Sequence, residues 1–493
     1  MLEFFLLIKK TISPIRLIRI IIASKPFYLE RMIIVSKWFG TDPTFYPSPR
    51  SAMEAPAEKL AYVALLNPDG IGVVDLDPVS ETYGKLIYKL DMPHGAEDEL
   101  HHFGWNACSS ALCPTAFHPQ LERRYLIVPG IRSSRIYIID TKPDPKRPKI
   151  VRTIEPEEIK KRTGYSRLHT VHCGPEGIFI SALGEANGNG GPGGLLLLDH
   201  FNFNVLGAWE MDRGPQIFAY DFWWHIAHDV TITSGWATPD LFENGLNLDA
   251  LLQRNYGHSI FFFDSKTRRF VQEVDLGDQH QMVLELRPAH NPRKTYGFSS
   301  VVIDVTNLAS SIWVWYQDNG KWNARKIIEI PAVPTDPNLL PPALKDVGAV
   351  PPLVTDMVLS LDDRFLYVSC WGTGELIQYD VSDPFNAKFI DKVKIGGVAN
   401  PVPHPSGKNM TGGVQMVELS RDGKRAYFTN SLYKAWDDQF YPAGIKGAMV
   451  KVNINPNGGM EIDKNFFIEF DGVRAHQIRL DGGDCSTDTF CYP

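Results

Sequence analysis

Seven times along the chain, a short apolar strand leads through a Gly- or Ser-containing turn into a second apolar strand with a polar end. The first strands read AYVALLN (61–67), RYLIVPG (124–130), IFISALG (178–184), VTITSGW (230–236), YGFSSVV (296–302), FLYVSCW (365–371) and AYFTNSL (426–432). Their partners end at Asp75, Asp140, Asp199, Asp264, Gln317, Asp380 and Asn453, so successive ends are 65, 59, 65, 53, 63 and 73 residues apart. β-Branched and aromatic residues fill these runs, and Gly, Pro, Asn and Asp bound them, as strands require. One more strand follows each pair, from KLIYKLD in the first unit to NFFIEFD in the last. A unit of three or four short strands cannot bury its faces alone. Seven in succession predict an all-β fold, a seven-bladed β-propeller in which each sheet packs on its neighbours.

Each blade also needs an inner strand ahead of its pair. For blades two to seven the candidates are 100–107, 167–173, 219–229, 283–290, 354–360 and 413–419. None precedes Ala61, whereas AHQIRLDGG (475–483) is left over at the other end. The C-terminal strand is therefore expected to complete the first blade and close the ring, which leaves no open sheet edge. The propeller is expected over 53–493, behind an N-terminal extension at 1–52. Loops such as 237–257, with a short helical pattern, and the Pro-rich 331–353 lengthen the repeat. Loops of that size on one face of a rigid scaffold shape a binding site.

A hydrophobic content of 44% gives ample material for a core. The net charge of −7 argues against a nucleic-acid binder, which would show a basic stripe. Six cysteines, at 108, 113, 173, 370, 485 and 491, form no CxxC pair. Neither a zinc ribbon nor a secreted disulfide framework is indicated, although Cys485 and Cys491 are near enough in sequence to pair. The first 39 residues carry seven Lys/Arg against two Glu. Charge interrupts their apolar runs well short of the roughly 18–20 residues of a transmembrane span. An apolar run ahead of the basic pair also does not fit a secretory signal, so a cytoplasmic location is expected. Residues 1–31 read as disordered upstream sequence ahead of a true start at Met32, or residues 1–40 read as a basic amphipathic segment touching a membrane surface. The former is the simpler.

Histidines concentrate on the expected inner strands. They are His101 and His102 in DELHHFGWNACSS (98–110), His169 and His172 in HTVH, His225 and His228 in HIAH, His290 and His476. Eight of the fourteen thus fall on five strands that line one channel, so residues remote in sequence would converge. Any one of them alone reads as a hydrogen-bonded core histidine. An imidazole-rich, oxygen-poor set suits Cu, Zn, Fe or Ni rather than Ca or Mg. His169 and His172 are three apart, so a regular strand cannot turn both to one face, and adjacent His101 and His102 meet the same objection. Glu97, Asp98, Asp221 and Asp229 are the nearby acceptors for the second ring nitrogens. His94, His118, His200, His258, His280 and His404 read as loop or surface residues. Cys108 and Cys173 each follow a histidine cluster, where a thiolate beside imidazolium gains reactivity, although Cys173 reads more simply as a small buried side chain at a strand end.

The stretches DELHHFGWNACSS, SSRIYIID, LHTVHC, YDFWW, LSLDDRFLYVS, QYDVSDP, DGKRAYFTNSLYKAWDDQFYP and GGDCSTD together resemble the selenium-binding protein family, whose members include methanethiol oxidases. The resemblance spans about residue 50 to 493. It implies a β-propeller and copper-assisted oxidation of methanethiol by O₂ and water to formaldehyde, hydrogen sulfide and hydrogen peroxide. His101, His102, His169, His172, His228, His290 and His476 fall at matching motif positions and are the implied metal ligands; His225 does not match. Cys108 is implied as a thiol supporting that site. Two departures stand out. The family's CSSC element reads CSSALC here, which moves the second cysteine to Cys113, and the cysteine proposed to hold selenium in animal members aligns with about Gly84.

Two functions of different class follow. The first is a copper enzyme of sulfur metabolism acting on a small thiol with O₂. The second is a non-catalytic propeller that binds partner proteins or carries metal or selenium. Histidines facing the channel favour the first.

Overall fold

The computed structural model describes residue 46 and residues 48–108, 121–225, 228–291 and 293–488. Among these residues the strands form seven antiparallel four-stranded sheets and a two-stranded ribbon pairing Val333–Pro334 with Ala349–Val350. The sheets are the seven blades expected. In blade 1, Leu60–Leu66, Gly70–Asp75 and Leu86–Asp91 are joined on the inner side by Arg474–Leu480, so the C-terminal strand closes the ring. The readings made of residues 1–40, and of Cys113, His118 and Cys491, lie outside the described residues.

The polar ends of the strand pairs have a local cause. The carboxylate of Asp75 accepts the backbone N–H of Asp77 at 3.0 Å, and Asp140 accepts that of Lys142 at 3.0 Å. Asp199 does the same for Phe201, and Asp380 for Ser382, each at 2.9 Å. An Asp that bonds the backbone two residues on builds the turn itself, so in these four blades the Asp is the stop signal of the second strand. The strands ahead of it are apolar because both faces are covered: Leu60–Leu66 and Gly70–Asp75 are buried throughout. Neighbouring blades share this material. Ala61, Val63 and Leu65 of blade 1 pack with Tyr427, Met449 and Phe466 of blade 7.

The inner strands are Gly104–Trp105, Tyr165–Cys173, Phe222–His225, His280–Pro288, Val354–Leu359 and Val417–Leu419 for blades 2 to 7. That of blade 2 is far shorter than the 100–107 expected. Leu100 bridges Gly130 and Gly104 resumes the ladder, and the three residues between them are irregular. The long loops gather on one face, as their length suggested. Short helices at Pro239–Phe242, Leu248–Leu252 and Lys434–Phe440 bury Phe242, Leu251 and Trp436 in one apolar cluster with Leu340 and Leu344 of the Pro-rich segment. Among the described residues no helix is long and apolar enough to cross a membrane.

Candidate metal centre

Four imidazoles from three blades meet on the channel axis. His101 and His102 come from the irregular entrance to blade 2, His169 from the inner strand of blade 3 and His476 from that of blade 1. Ring centroids of His101 and His476 lie 3.6 Å apart, and those of His102 and His169 4.0 Å apart. The His101 and His102 rings are parallel to within 9° at 5.1 Å. One nitrogen each from His101, His102 and His476 falls within 4.8 Å of the others, the spacing of ligands around one ion.

Backbone irregularity permits this. Between Leu168 and Val171 the inner strand of blade 3 holds one residue more than its partner, which pairs at Ala182 and Ile180. A bulge there resets the alternation, so His169 and His172 both face the channel from within one strand. The inner strand of blade 1 bulges likewise between Ala475 and Ile478, at His476. Lack of ladder pairing at 101–103 frees both blade 2 rings to turn the same way.

In His102, His169 and His476 a protein acceptor holds the proton on Nδ1 and leaves Nε2 bare. His476 Nδ1 donates to the Ser431 carbonyl at 2.7 Å. The Thr170 hydroxyl donates its single proton to the Tyr220 carbonyl at 3.2 Å. It can therefore only accept from His169 Nδ1, at 2.9 Å, and from His102 Nδ1, at 3.4 Å. Nε2 of His102, His169 and His476 is then a lone pair, and these three atoms, with Nδ1 of His101, are buried without a protein hydrogen-bond partner. Burial, reinforced by the neighbouring imidazoles, holds His101 and His102 well below the ordinary imidazole range, and burial does the same to His169. Burial also pushes His476 down to about 3. Orphaned buried lone pairs on neutral rings are what a late first-row metal requires, so the residues present fit such an ion.

Above the imidazoles lies a narrow cavity lined by His101, Tyr220, Trp236, Met282, Trp371 and Trp436, among others. Its walls are almost wholly apolar and it has room for little more than one water-sized group. On the other side of the quartet the channel is ionic. Arg287 reaches Asp221 at 3.1 Å, Glu285 at 2.8 Å and Asp356 at 3.2 Å, and Arg479 reaches Glu418 at 2.6 Å. Burial pushes the Glu285 carboxyl up to about 7.

The remaining expected ligands lie elsewhere. His172 packs on Trp223, ring centroids 3.8 Å apart, with Nε2 3.7 Å from Asp221, in the next layer along the axis. His290 follows its strand and donates Nε2–H to the Leu359 carbonyl at 3.2 Å. His228 is exposed beside Thr295 and pairs with His225, ring centroids 4.4 Å apart, away from the quartet. The expected carboxylate acceptors do not orient the quartet: Asp98 binds Arg135 and Tyr137, Asp229 binds Lys266, and Glu97 faces His94. Thr170 and Ser431 take that role. His200, His280 and His404 are buried rather than superficial. Cys108 lies beyond the quartet, its Sγ 2.7 Å from that of Cys173, and burial raises the Cys173 thiol well above the ordinary range.

Comparison with known proteins agrees with this architecture. Residues 39–491 match the family model described as 56kDa selenium binding protein. A methanethiol oxidase of Xenopus laevis is 39% identical over 477 residues, covering 90% of this chain and 97% of the relative. Selenium-binding protein 3 of Arabidopsis thaliana is 36% identical over 476 residues, covering 90% of this chain and 96% of its own length. The crystal structure of a hypothetical selenium-binding protein from Sulfolobus tokodaii superposes with a TM-score of 0.89 at 57% identity, covering 92% of this chain and all of that one. With its ring of seven blades and a match along nearly the whole propeller, the chain belongs to the 56 kDa selenium-binding protein family.

Proposed function

We propose that this chain is a copper-dependent oxidase of a small thiol that converts methanethiol, O₂ and water to formaldehyde, hydrogen sulfide and hydrogen peroxide. The observation that carries the proposal is the quartet of buried imidazoles, each with one ring nitrogen that no protein group satisfies. His101, His102, His169 and His476 would hold the ion. Copper supplies the one-electron chemistry that couples a thiol to O₂, which redox-inert zinc in the same ligands does not. Thr170 and Ser431 keep the ligand lone pairs aimed inward, so little reorganisation accompanies binding. The tryptophan-lined cavity against His101 excludes bulk water and limits the substrate to a very short carbon chain. The methanethiol oxidase relatives support the same substrate class.

Metal analysis and oxygen uptake on untagged, copper-loaded protein test this. The expected result is stoichiometric copper, uptake with methanethiol, and a steep decline from ethanethiol to butanethiol. Stoichiometric copper without uptake on any thiol would overturn the enzyme and leave a metal-carrying propeller.

A further inference from the structure

Beyond the quartet, Cys108 and Cys173 are 65 residues apart in sequence, yet their sulfurs lie 2.7 Å from one another. Cys173 ends the inner strand of blade 3, and Cys108 follows Gly104–Trp105 of blade 2. A Cβ at Gly104 would come 2.5 Å from the Val171 carbonyl oxygen, so this glycine is what lets the two segments approach. Cys108 is partly exposed, whereas Cys173 is 3% exposed. Both line one small pocket with His172, Trp223 and Arg479. The Arg123 guanidinium, held by Asp488, also lies within the electrostatic reach of Cys108. Guanidinium charge and partial exposure together are the setting in which a thiolate forms and reacts.

We propose that Cys108 and Cys173 are a modification site, a cysteine pair that peroxide converts to a disulfide. The Cys108 thiolate attacks one peroxide oxygen. The O–O bond breaks, and the departing hydroxide takes up a proton and leaves as water. The Cys173 sulfur then attacks the Cys108 sulfenic acid; the S–S bond forms, the S–O bond breaks, and a second water carries away the Cys173 proton. Two electrons pass from the sulfurs to the peroxide, so two thiols and one peroxide give one disulfide and two waters. Closing the sulfurs to the roughly 2.05 Å of the bond needs less than an ångström of movement. Cys370, buried in an apolar cluster away from this pocket, is the internal control. Peroxide is also a product of the reaction proposed above. Only that source rests on the oxidase reading, because the test supplies peroxide from outside.

The full-length protein, reduced and then freed of reductant, is treated with hydrogen peroxide, alkylated, digested and mapped by mass spectrometry. The expected result is a Cys108–Cys173 cross-linked peptide that dithiothreitol removes. Both alkylated peptides are lost together while that of Cys370 persists. In Cys173→Ser, dimedone is expected to label Cys108 in place of the cross-link. The wild-type map needs no variant. A cross-link from Cys108 to Cys113 or Cys491, or a Cys173 that stays fully alkylated at a dose that consumes Cys108, overturns the proposal.

Discussion

At the scale of single residues, the Thr170 hydroxyl has one proton, and the Tyr220 carbonyl takes it. Two histidines therefore share one acceptor, and a single side chain sets the tautomer of both. Thr170→Val keeps the shape of the side chain and removes the shared acceptor together with the bond to the Tyr220 carbonyl, which still accepts from Ser181 at 2.7 Å. Copper affinity is expected to fall about 10–100-fold while the melting temperature changes little, whereas His102→Ala is expected to abolish tight binding outright. Isothermal titration of the metal-free variants checks both, and unchanged affinity in Thr170→Val would show that the tautomers are set elsewhere. The depressed imidazoles also make a statement about pH. Burial lowers His476 from 6.5 to about 3. Below pH 6.5 the unfolded chain binds a proton at this residue that the folded chain refuses, so its contribution to stability falls as pH falls across that window. Between pH 7 and 5 the metal-free wild type should lose about 2 kcal/mol relative to His476→Gln, at about 1.4 kcal/mol per pH unit. Parallel urea titrations of the two proteins at both pH values measure the difference, and parallel stability curves would contradict a neutral buried His476. Buried carboxyls raised by desolvation, such as Asp69, titrate in the opposite sense but are common to both proteins and cancel.

Among elements, the inner strands carry the chemistry because they break their own regularity. Blade 5 gains an extra residue between Val283 and Leu286, and blade 6 one between Val354 and Asp356, in addition to those at His169 and His476. Blade 2 goes further and gives up its ladder at 101–103, where Gly104 then sets how closely it lies to blade 3. Gly104→Ala must push that segment away from the Val171 carbonyl, and His101 and His102 move with it. Lower thermal stability and weaker copper binding are expected together, by about 1–3 kcal/mol for the first. Full retention of both in calorimetry and metal titration would mean that the two blades are positioned by something other than this contact. The same irregularities explain what is legible in the sequence. Strand pairs announce themselves through apolar runs and the turn-forming Asp at 75, 140, 199 and 380, which are local signals. Convergence of histidines is legible because the blade repeat places their strands on one axis. Which histidines converge is not, since a one-residue bulge decides the facing of His169 and appears only in the pairing with Ala182 and Ile180. His290 and His228 read as ligands because their motifs match, but both sit just past the ends of their strands and point to other partners. Thr170 and Ser431 leave no sequence signal of their role.

For the whole molecule, the problem is closing a ring of seven sheets with a strand 414 positions after its partner begins, from Leu60 to Arg474 at its entry. Apolar burial of Ala475, Ile478 and Leu480 holds this strand in blade 1. Arg474 then ties it to two neighbours: its guanidinium donates to Glu99, ahead of blade 2, at 2.7 Å and to Asp437, in the helix Lys434–Phe440 of blade 7, at 2.9 Å. All three groups are buried, and burial pushes the Asp437 carboxyl up to about 6. An ion pair out of water gains little over an apolar replacement, yet removal of one partner leaves charge stranded. Arg474→Met strands two carboxylates at the seam and should lower stability by about 3–5 kcal/mol. Neutralising them as well, in Arg474→Met/Glu99→Gln/Asp437→Asn, should restore much of that loss even though every ionic contact of the clasp is gone. Urea denaturation monitored by tryptophan fluorescence, with comparable m-values for all three proteins, gives the comparison. If the triple variant is as unstable as the single one, the seam depends on the ionic bonds themselves. If it recovers, the apolar strand closes the ring, and Arg474 serves to keep two acids from opening it.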